Sequence, residues 1–186
     1  TGAYVLEPIK GLHEDIANFD FASLYPSCMR TWNISPDTYV PPDAVEGLCR
    51  SHQESLLANC PVVKTDDGVE SGGSHFWREP LGVMPTVYSF AAENRNRYKA
   101  LMKTVEPGSD QYLVYKRLEY AFKELGLSMY GVMGSPSSRF YNEKVAEAVT
   151  LSGQFLFRET LKLAKDLGFQ PVYGDTDSIL IHLKEE

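Results

Sequence analysis

Two short apolar runs near the C-terminus flank an acidic tip: Phe169 and Val172 precede Tyr173-Gly174-Asp175-Thr176-Asp177-Ser178, and Ile179-Leu180-Ile181 follows. This pattern predicts two strands joined by a tight turn, with Gly174 and Asp175 supplying the turn chemistry. Another strand-like stretch (Ile16, Ala17, Phe19) ends on Asp20, and Pro26 marks where the chain turns away into a short helix starting near Tyr25. Residues 41–84 are rich in Pro, Gly, Asp and Ser and read as irregular loops with room for a hairpin. The pattern turns helical over residues 87–104, and Glu106-Pro107-Gly108-Ser109-Asp110 breaks it. Ser109 or Asp110 can cap a second helix, on which Leu118, Phe122, Leu125 and Met129 form a packing stripe. Two helices joined by so short a turn must lie antiparallel. Residues 131–138, with two glycines and Pro136, interrupt the helical pattern; Asn142 then caps a long helix. On that helix Val145, Val149, Leu156, Leu163 and Leu167 read as one stripe, and Gly168 supplies the stop. The order predicts an α+β fold, an antiparallel sheet with helices on one face, interrupted by an antiparallel helical hairpin.

A chain of 186 residues can bury a core of its own. It has no apolar run of about eighteen residues, so no membrane-spanning helix is expected. The first residues, TGAYVLEPIKG, lack the basic-then-apolar layout of a secretory signal and an initiator Met, as a cleaved or excised piece would. Cys28, Cys49 and Cys60 are widely spaced and odd in number, which favours reduced thiols in a cytosolic setting over zinc or disulfides. Asn33-Ile34-Ser35 is formally a glycosylation sequon, and nothing else points to secretion. The net charge of −7 argues against a free-standing nucleic-acid binder. From Arg95 to Lys123, however, seven basic residues face three acidic ones. Arg95, Lys99 and Lys103 share one helical face, which Lys123 on the opposing helix is placed to join. A solvated helical face is the plain alternative.

Acidic side chains at a strand tip are poor strand formers and repel each other. A surface turn is the commoner meaning of Asp-x-Asp, so the upstream Asp20 is the second signal that matters. Asp20, Asp175 and Asp177 at the ends of neighbouring strands would offer the hard oxygen ligands that Mg²⁺ takes, along with waters and substrate phosphates. Two such ions ~3.5–4 Å apart can stabilise both the attacking and the leaving oxygen of an in-line displacement.

These residues carry a resemblance. Asp20-Phe21-Ala22-Ser23-Leu24-Tyr25-Pro26-Ser27 resembles motif A of the family B DNA polymerases, and Tyr173-Gly174-Asp175-Thr176-Asp177-Ser178 resembles their motif C. KELGLSMYG, from Lys123 to Gly131, resembles motif B, with Leu127 where the family usually has Asn. Glu7-Pro8, Gly11 and Asn33-Ile34-Ser35-Pro36-Asp37-Thr38 resemble the flanks of motif A in T-even-like phage and archaeal polymerases. The resemblance runs from Gly2 to Leu183.

The resemblance implies a palm with inserted fingers: residues 1–84 as the first part of the palm, 85–133 as the fingers hairpin and 134–186 as the rest of the palm, with exonuclease and thumb lacking. It implies template-directed addition of a dNTP to a primer 3′-OH, with two Mg²⁺ ions. Asp20, Asp177 and the Phe21 carbonyl would hold metal, and Asp175 would be the accessory catalytic aspartate. Ser23, Leu24, Tyr25, Arg95, Lys99, Lys123 and Tyr130 would bind the nucleotide, with Tyr25 as the gate against a 2′-OH. Gly131, Arg139, Tyr141 and Thr176 would meet the DNA. Primer–template DNA, dNTP and the remaining polymerase segments are the implied partners, in a prokaryotic or phage-infected cytosol. Leu127 cannot make the polar contacts of an Asn, a loss on the order of 1–3 kcal/mol. A non-catalytic, polymerase-derived scaffold subunit is the main rival; retention of all three aspartates argues against it, because unused buried carboxylates are costly. A two-metal nuclease would have no use for Tyr25 or the basic helices.

Overall fold

A computed structural model describes residues 2–64 and 68–183. Its central sheet has four strands: β1 (Val5–Leu6), β2 (Ile16–Asp20), β8 (Gln170–Asp175) and β9 (Ser178–His182). They lie in the order β1-β8-β9-β2, and every pairing is antiparallel. Pro171, which has no N–H to give a ladder, sits where the β8–β9 register shifts. The fold is α+β, as the residue pattern predicts.

One helix, α6 (Glu143–Asp166), underlies the sheet, and Asn142 caps it by accepting from the Val145 N–H at 3.2 Å. Phe157 of α6 is fully enclosed and joins Leu161, Ala164, Ile179 and Ile181 in a core beneath the strands. Gly174 in β8 makes this possible, since a Cβ there would stand 2.5 Å from Phe157 Cζ.

The stripe read along α6 does not hold to its end. Leu163 and Leu167 are 57% and 60% exposed, while Phe157, Leu161 and Ala164 are buried. The partners of the helix change along its length. Its first half packs against α1 (Leu24–Thr31) and α5 (Asp110–Gly134), and its second half against the sheet. At ~100° per residue, Leu163 returns to the angle of Val145, whereas the sheet lies roughly 100–160° further round. Leu163 and Leu167 instead line an open apolar groove of about 250 Å³ with Phe19, Ile181 and Leu183.

Helices α4 (Val83–Met102) and α5 form the expected antiparallel hairpin, with Ser109 Oγ accepting from the Tyr112 N–H at 3.2 Å as the cap of α5. Tyr98 stacks on Phe122 across the hairpin at 5.8 Å, and Phe90 meets Phe122 edge-on at 5.8 Å. α4 begins four residues earlier than the pattern suggests, where Asp37 accepts from the Val83 N–H. α5 runs through Gly131 to Gly134; the break comes at Ser135, held extended (φ −91°, ψ 119°) by the following Pro136.

Residues 41–84 are more ordered than their composition suggests. They contain α2 (Pro42–Glu46), α3 (Arg50–Leu56), β4 (Leu57–Asn59), β5 (Val62–Lys64), β6 (Glu70–Gly72) and β7 (His75–Trp77). With β3 (Tyr39–Val40), these strands form a β3-β7-β4 sheet and a β5-β6 hairpin. Residues 65–67, from the Asp- and Gly-rich part of that stretch, lie outside the described residues. Asn33 ties this region down: its Nδ2 donates to Trp77 O (2.7 Å) and Pro80 O (2.9 Å), and its Oδ1 accepts from the Gly82 N–H (2.8 Å). The asparagine of the formal sequon is thus a buried structural residue, 4% exposed.

The three thiols are free and sit in opposite settings. Burial, its largest cause, pushes both Cys28 and Cys60 up to about 12, whereas a hydrogen bond with Ser51 lowers the pKa of exposed Cys49. At pH 8 iodoacetamide is expected to label Cys49 well before Cys28 or Cys60. Equal labelling of all three in the native chain, read by mass spectrometry, would contradict the packing described.

Candidate active site

Antiparallel pairing carries Asp20, at the end of β2, to the start of β9, where it lies opposite Ser178. One residue further, the Phe21 N–H donates to the Asp177 carbonyl at 2.8 Å, which fastens the end of β2 to the β8–β9 turn. The turn is tight: the Asp177 N–H donates to Asp175 O at 2.6 Å. Thr176 at its tip has φ +56°, a costly conformation for a β-branched residue. Its N–H donates to Tyr4 O at 3.1 Å and its hydroxyl to Asp175 Oδ1 at 2.7 Å, so the N-terminal segment and the turn itself hold the strained residue in place. Such strain is commonest where a fold positions chemistry.

Asp177 has its pKa raised, chiefly by burial and then by the negative charge of Asp20, with a smaller push from Asp175. A carboxylate whose anion is disfavoured by burial and by a second carboxylate beside it is a donor that a divalent cation fits. Asp20, Asp177 and the neighbouring Phe21 carbonyl would be the groups to hold one. Among the described residues no three His, Cys, Asp or Glu side chains converge for a metal. Asp175 accepts a hydrogen bond from the Thr176 hydroxyl on one carboxylate oxygen, at 2.7 Å.

Beside the aspartates, α1 starts at Leu24 behind Ser23, which adopts a left-handed conformation (φ 57°, ψ 59°) and makes no side-chain cap. Tyr25 in the first turn packs on Tyr130 of α5, with ring centroids 5.0 Å apart and planes inclined by 48°. Burial, Tyr130 and Asp177, in that order, push its phenol up to about 12, so it stays protonated at neutral pH.

A cleft of about 330 Å³ opens between α1 and the hairpin. Ser23, Arg95 and Lys123 line it, together with Leu127. Lys99 does not, and its side chain is exposed on α4. Arg95 Nε donates to Glu119 Oε1 at 2.8 Å across the hairpin, so part of its charge is already compensated. Tyr141 shares a second depression with Tyr130, Gly134 and Glu143, while Gly131 and Arg139 are exposed near the junction of α5 and α6.

Arg30 and Asn96 also line the cleft, and neither was picked out by sequence reasoning. A usable signal existed for Arg30, since Ser23, Ser27 and Arg30 follow one another at steps of four and three and so share a helix face.

Residues 1–186 match the family model described as DNA polymerase family B. The chain belongs to that family. It is 37% identical over 182 residues to a DNA polymerase of Archaeoglobus fulgidus, covering 97% of this chain and 20% of that protein. It is 36% identical over 181 residues to DNA polymerase 2 of Aeropyrum pernix, covering 97% of this chain and 21% of that protein. In structure it is similar to the family B DNA polymerase of Pyrobaculum calidifontis, with a TM-score of 0.68 and 32% identity, over 99% of this chain and 22% of that one. This family B chain thus spans about a fifth of the length of these relatives.

The motif B departure can now be placed. Leu127 is 53% exposed and faces the cleft, whereas Leu125 packs on the main core. Leu127→Asn is therefore expected to change stability by no more than about 0.5 kcal/mol. A drop in Tm corresponding to ~1–3 kcal/mol, the cost of burying an unsatisfied amide, would instead put the side chain in the hairpin core.

Proposed function

We propose that this chain is the palm and fingers of a DNA-directed DNA polymerase, the hairpin α4–α5 being the fingers and the sheet with α6 the palm. The reaction is attack of a primer 3′-OH on the α-phosphate of a template-selected dNTP, with release of pyrophosphate. The observation that carries this reading is the juxtaposition of Asp20, at the end of β2, with Asp177 in the adjoining β8–β9 turn, beside a cleft lined by Arg95 and Lys123.

Phosphoryl transfer asks a protein chiefly for positioning and charge neutralisation. Arg95 and Lys123 neutralise the triphosphate, Arg as a directional fork and Lys as a point charge. The N–H groups of Ser23 and Leu24, where α1 begins, give the same anion a helix N-terminus. The Tyr25 ring stands under the sugar and leaves no space for a 2′-OH. Lys99 is a weaker member of this set, because it stands outside the cleft. Gly131, Arg139, Tyr141 and Thr176 would meet primer–template DNA. Asp20, Asp177 and the Phe21 carbonyl would hold Mg²⁺, which when bound lowers the pKa of the attacking hydroxyl and offsets charge on the leaving group.

Further polymerase segments are the proposed protein partners, since the relatives are about five times longer and the Phe19–Leu163–Leu167 groove offers such a segment an apolar seat. Among the described residues no helix is long and apolar enough to cross a membrane. A place with DNA in the cytosol suits this reading.

In a complex competent for synthesis, Asp177→Ala is expected to lower incorporation by about a hundredfold or more. Asp175→Ala should be milder, because its carboxylate is engaged within the turn. Undiminished incorporation by Asp177→Ala would favour the scaffold role instead. Tyr25→Ala is expected to relax the preference for dNTP over rNTP; an unchanged preference would remove Tyr25 from sugar selection.

A further inference from the structure

Resting on the reading of Tyr25 as the residue that meets the sugar, we propose that Gly153 of α6 is a positioning residue that sets where the Tyr25 ring stands. Glycine is a poor helix former, yet Gly153 lies buried in the middle of α6 (Glu143–Asp166). A Cβ at this position would stand 2.8 Å from Tyr25 Cε1 and 3.2 Å from Cδ1, and 3.4 Å from Leu24 Cδ2. The start of α1 therefore docks directly on the α6 backbone, and the absent side chain is the space the ring uses.

The ring cannot yield as a flexible side chain would. It is a rigid plate whose other side is held by Tyr130, at 5.0 Å between centroids. A methyl group at 153 must drive the ring away from α6, toward Tyr130 or into the space a sugar would occupy. The contrast with Gly131 of α5 is direct: a Cβ there meets nothing within 4 Å. The need for glycine at 153 therefore comes from Tyr25 and Leu24 rather than from the helix. Position 153 is remote in sequence from the motifs around Asp20 and Asp177, yet it fixes the geometry of a residue between them.

The test is a double-mutant cycle of Gly153→Ala with Tyr25→Ala in a complex competent for synthesis. Gly153→Ala is expected to raise the dNTP KM about tenfold while kcat changes by less than about twofold. Added to Tyr25→Ala, the same change should do nothing further to KM. Equal effects in both backgrounds, or no effect in the parent, would overturn the proposal. Its failure is separable from that of the sugar reading: if Tyr25→Ala relaxes the dNTP preference while Gly153→Ala shifts neither KM nor preference, only the role of Gly153 falls. Melting of the 186-residue chain gives a readout that does not need activity. Gly153→Ala should lower Tm in the parent and raise it in Tyr25→Ala, where alanine is simply the better helix former. A shift in the same direction in both backgrounds, or loss of folding in both, would overturn it.

Discussion

The pairing of β2 with β9 is the constraint on which the candidate site depends. Alternate residues of a strand face opposite sides of the sheet, so the register that places Phe19 beside Ile181 over α6 places Asp20 on the other, open face. A slip of one residue would turn Asp20 toward the helix and carry Phe19 from the helix side to the open side. The apolar contacts beneath the sheet and the position of the carboxylate above it are thus one choice. The bond from the Phe21 N–H to Asp177 O closes the pairing just beyond the strand end, where fraying would otherwise begin.

The same geometry creates an electrostatic conflict that the fold leaves open. Asp177 is held near Asp20 and partly out of water, and it responds with a raised pKa. No cationic side chain is paired with either carboxylate among the described residues. The cations lie instead in the neighbouring cleft, where Arg30, Arg95 and Lys123 surround an open volume. In the function proposed above, a metal–triphosphate complex would meet the aspartates at one end and the cations of the cleft at the other. The ion pair of Arg95 with Glu119 qualifies this picture, because a phosphate would have to compete with a carboxylate for the same guanidinium.

Much of this was legible from local chemistry. The acidic tip between two apolar runs, the break at residues 106–110, and the caps at Ser109 and Asn142 all act within a few residues, and each stands where the sequence implies. Residues 41–84 were not legible in this way. Their strands are three residues or fewer, and they persist because Asn33 and the surrounding packing secure them rather than by propensity.

Outside residues 41–84, sequence alone determined the element types, the antiparallel hairpin and the candidate aspartates, because turn, cap and periodicity signals are carried by neighbouring residues. The tertiary structure decided which faces met. Leu163 shares an angular position with buried Val145 yet lies exposed, because α6 exchanges helical partners for the sheet along its length. Arg30 enters the cleft and Lys99 does not, although both are basic residues on helices beside it. Asp175 is engaged by the Thr176 hydroxyl, while Asp177 feels the charge of Asp20 more strongly than that of Asp175, although the two differ by only two positions. In each case the deciding quantity is the direction in which a side chain points after distant elements have packed, and periodicity constrains that direction only relative to the element's own axis.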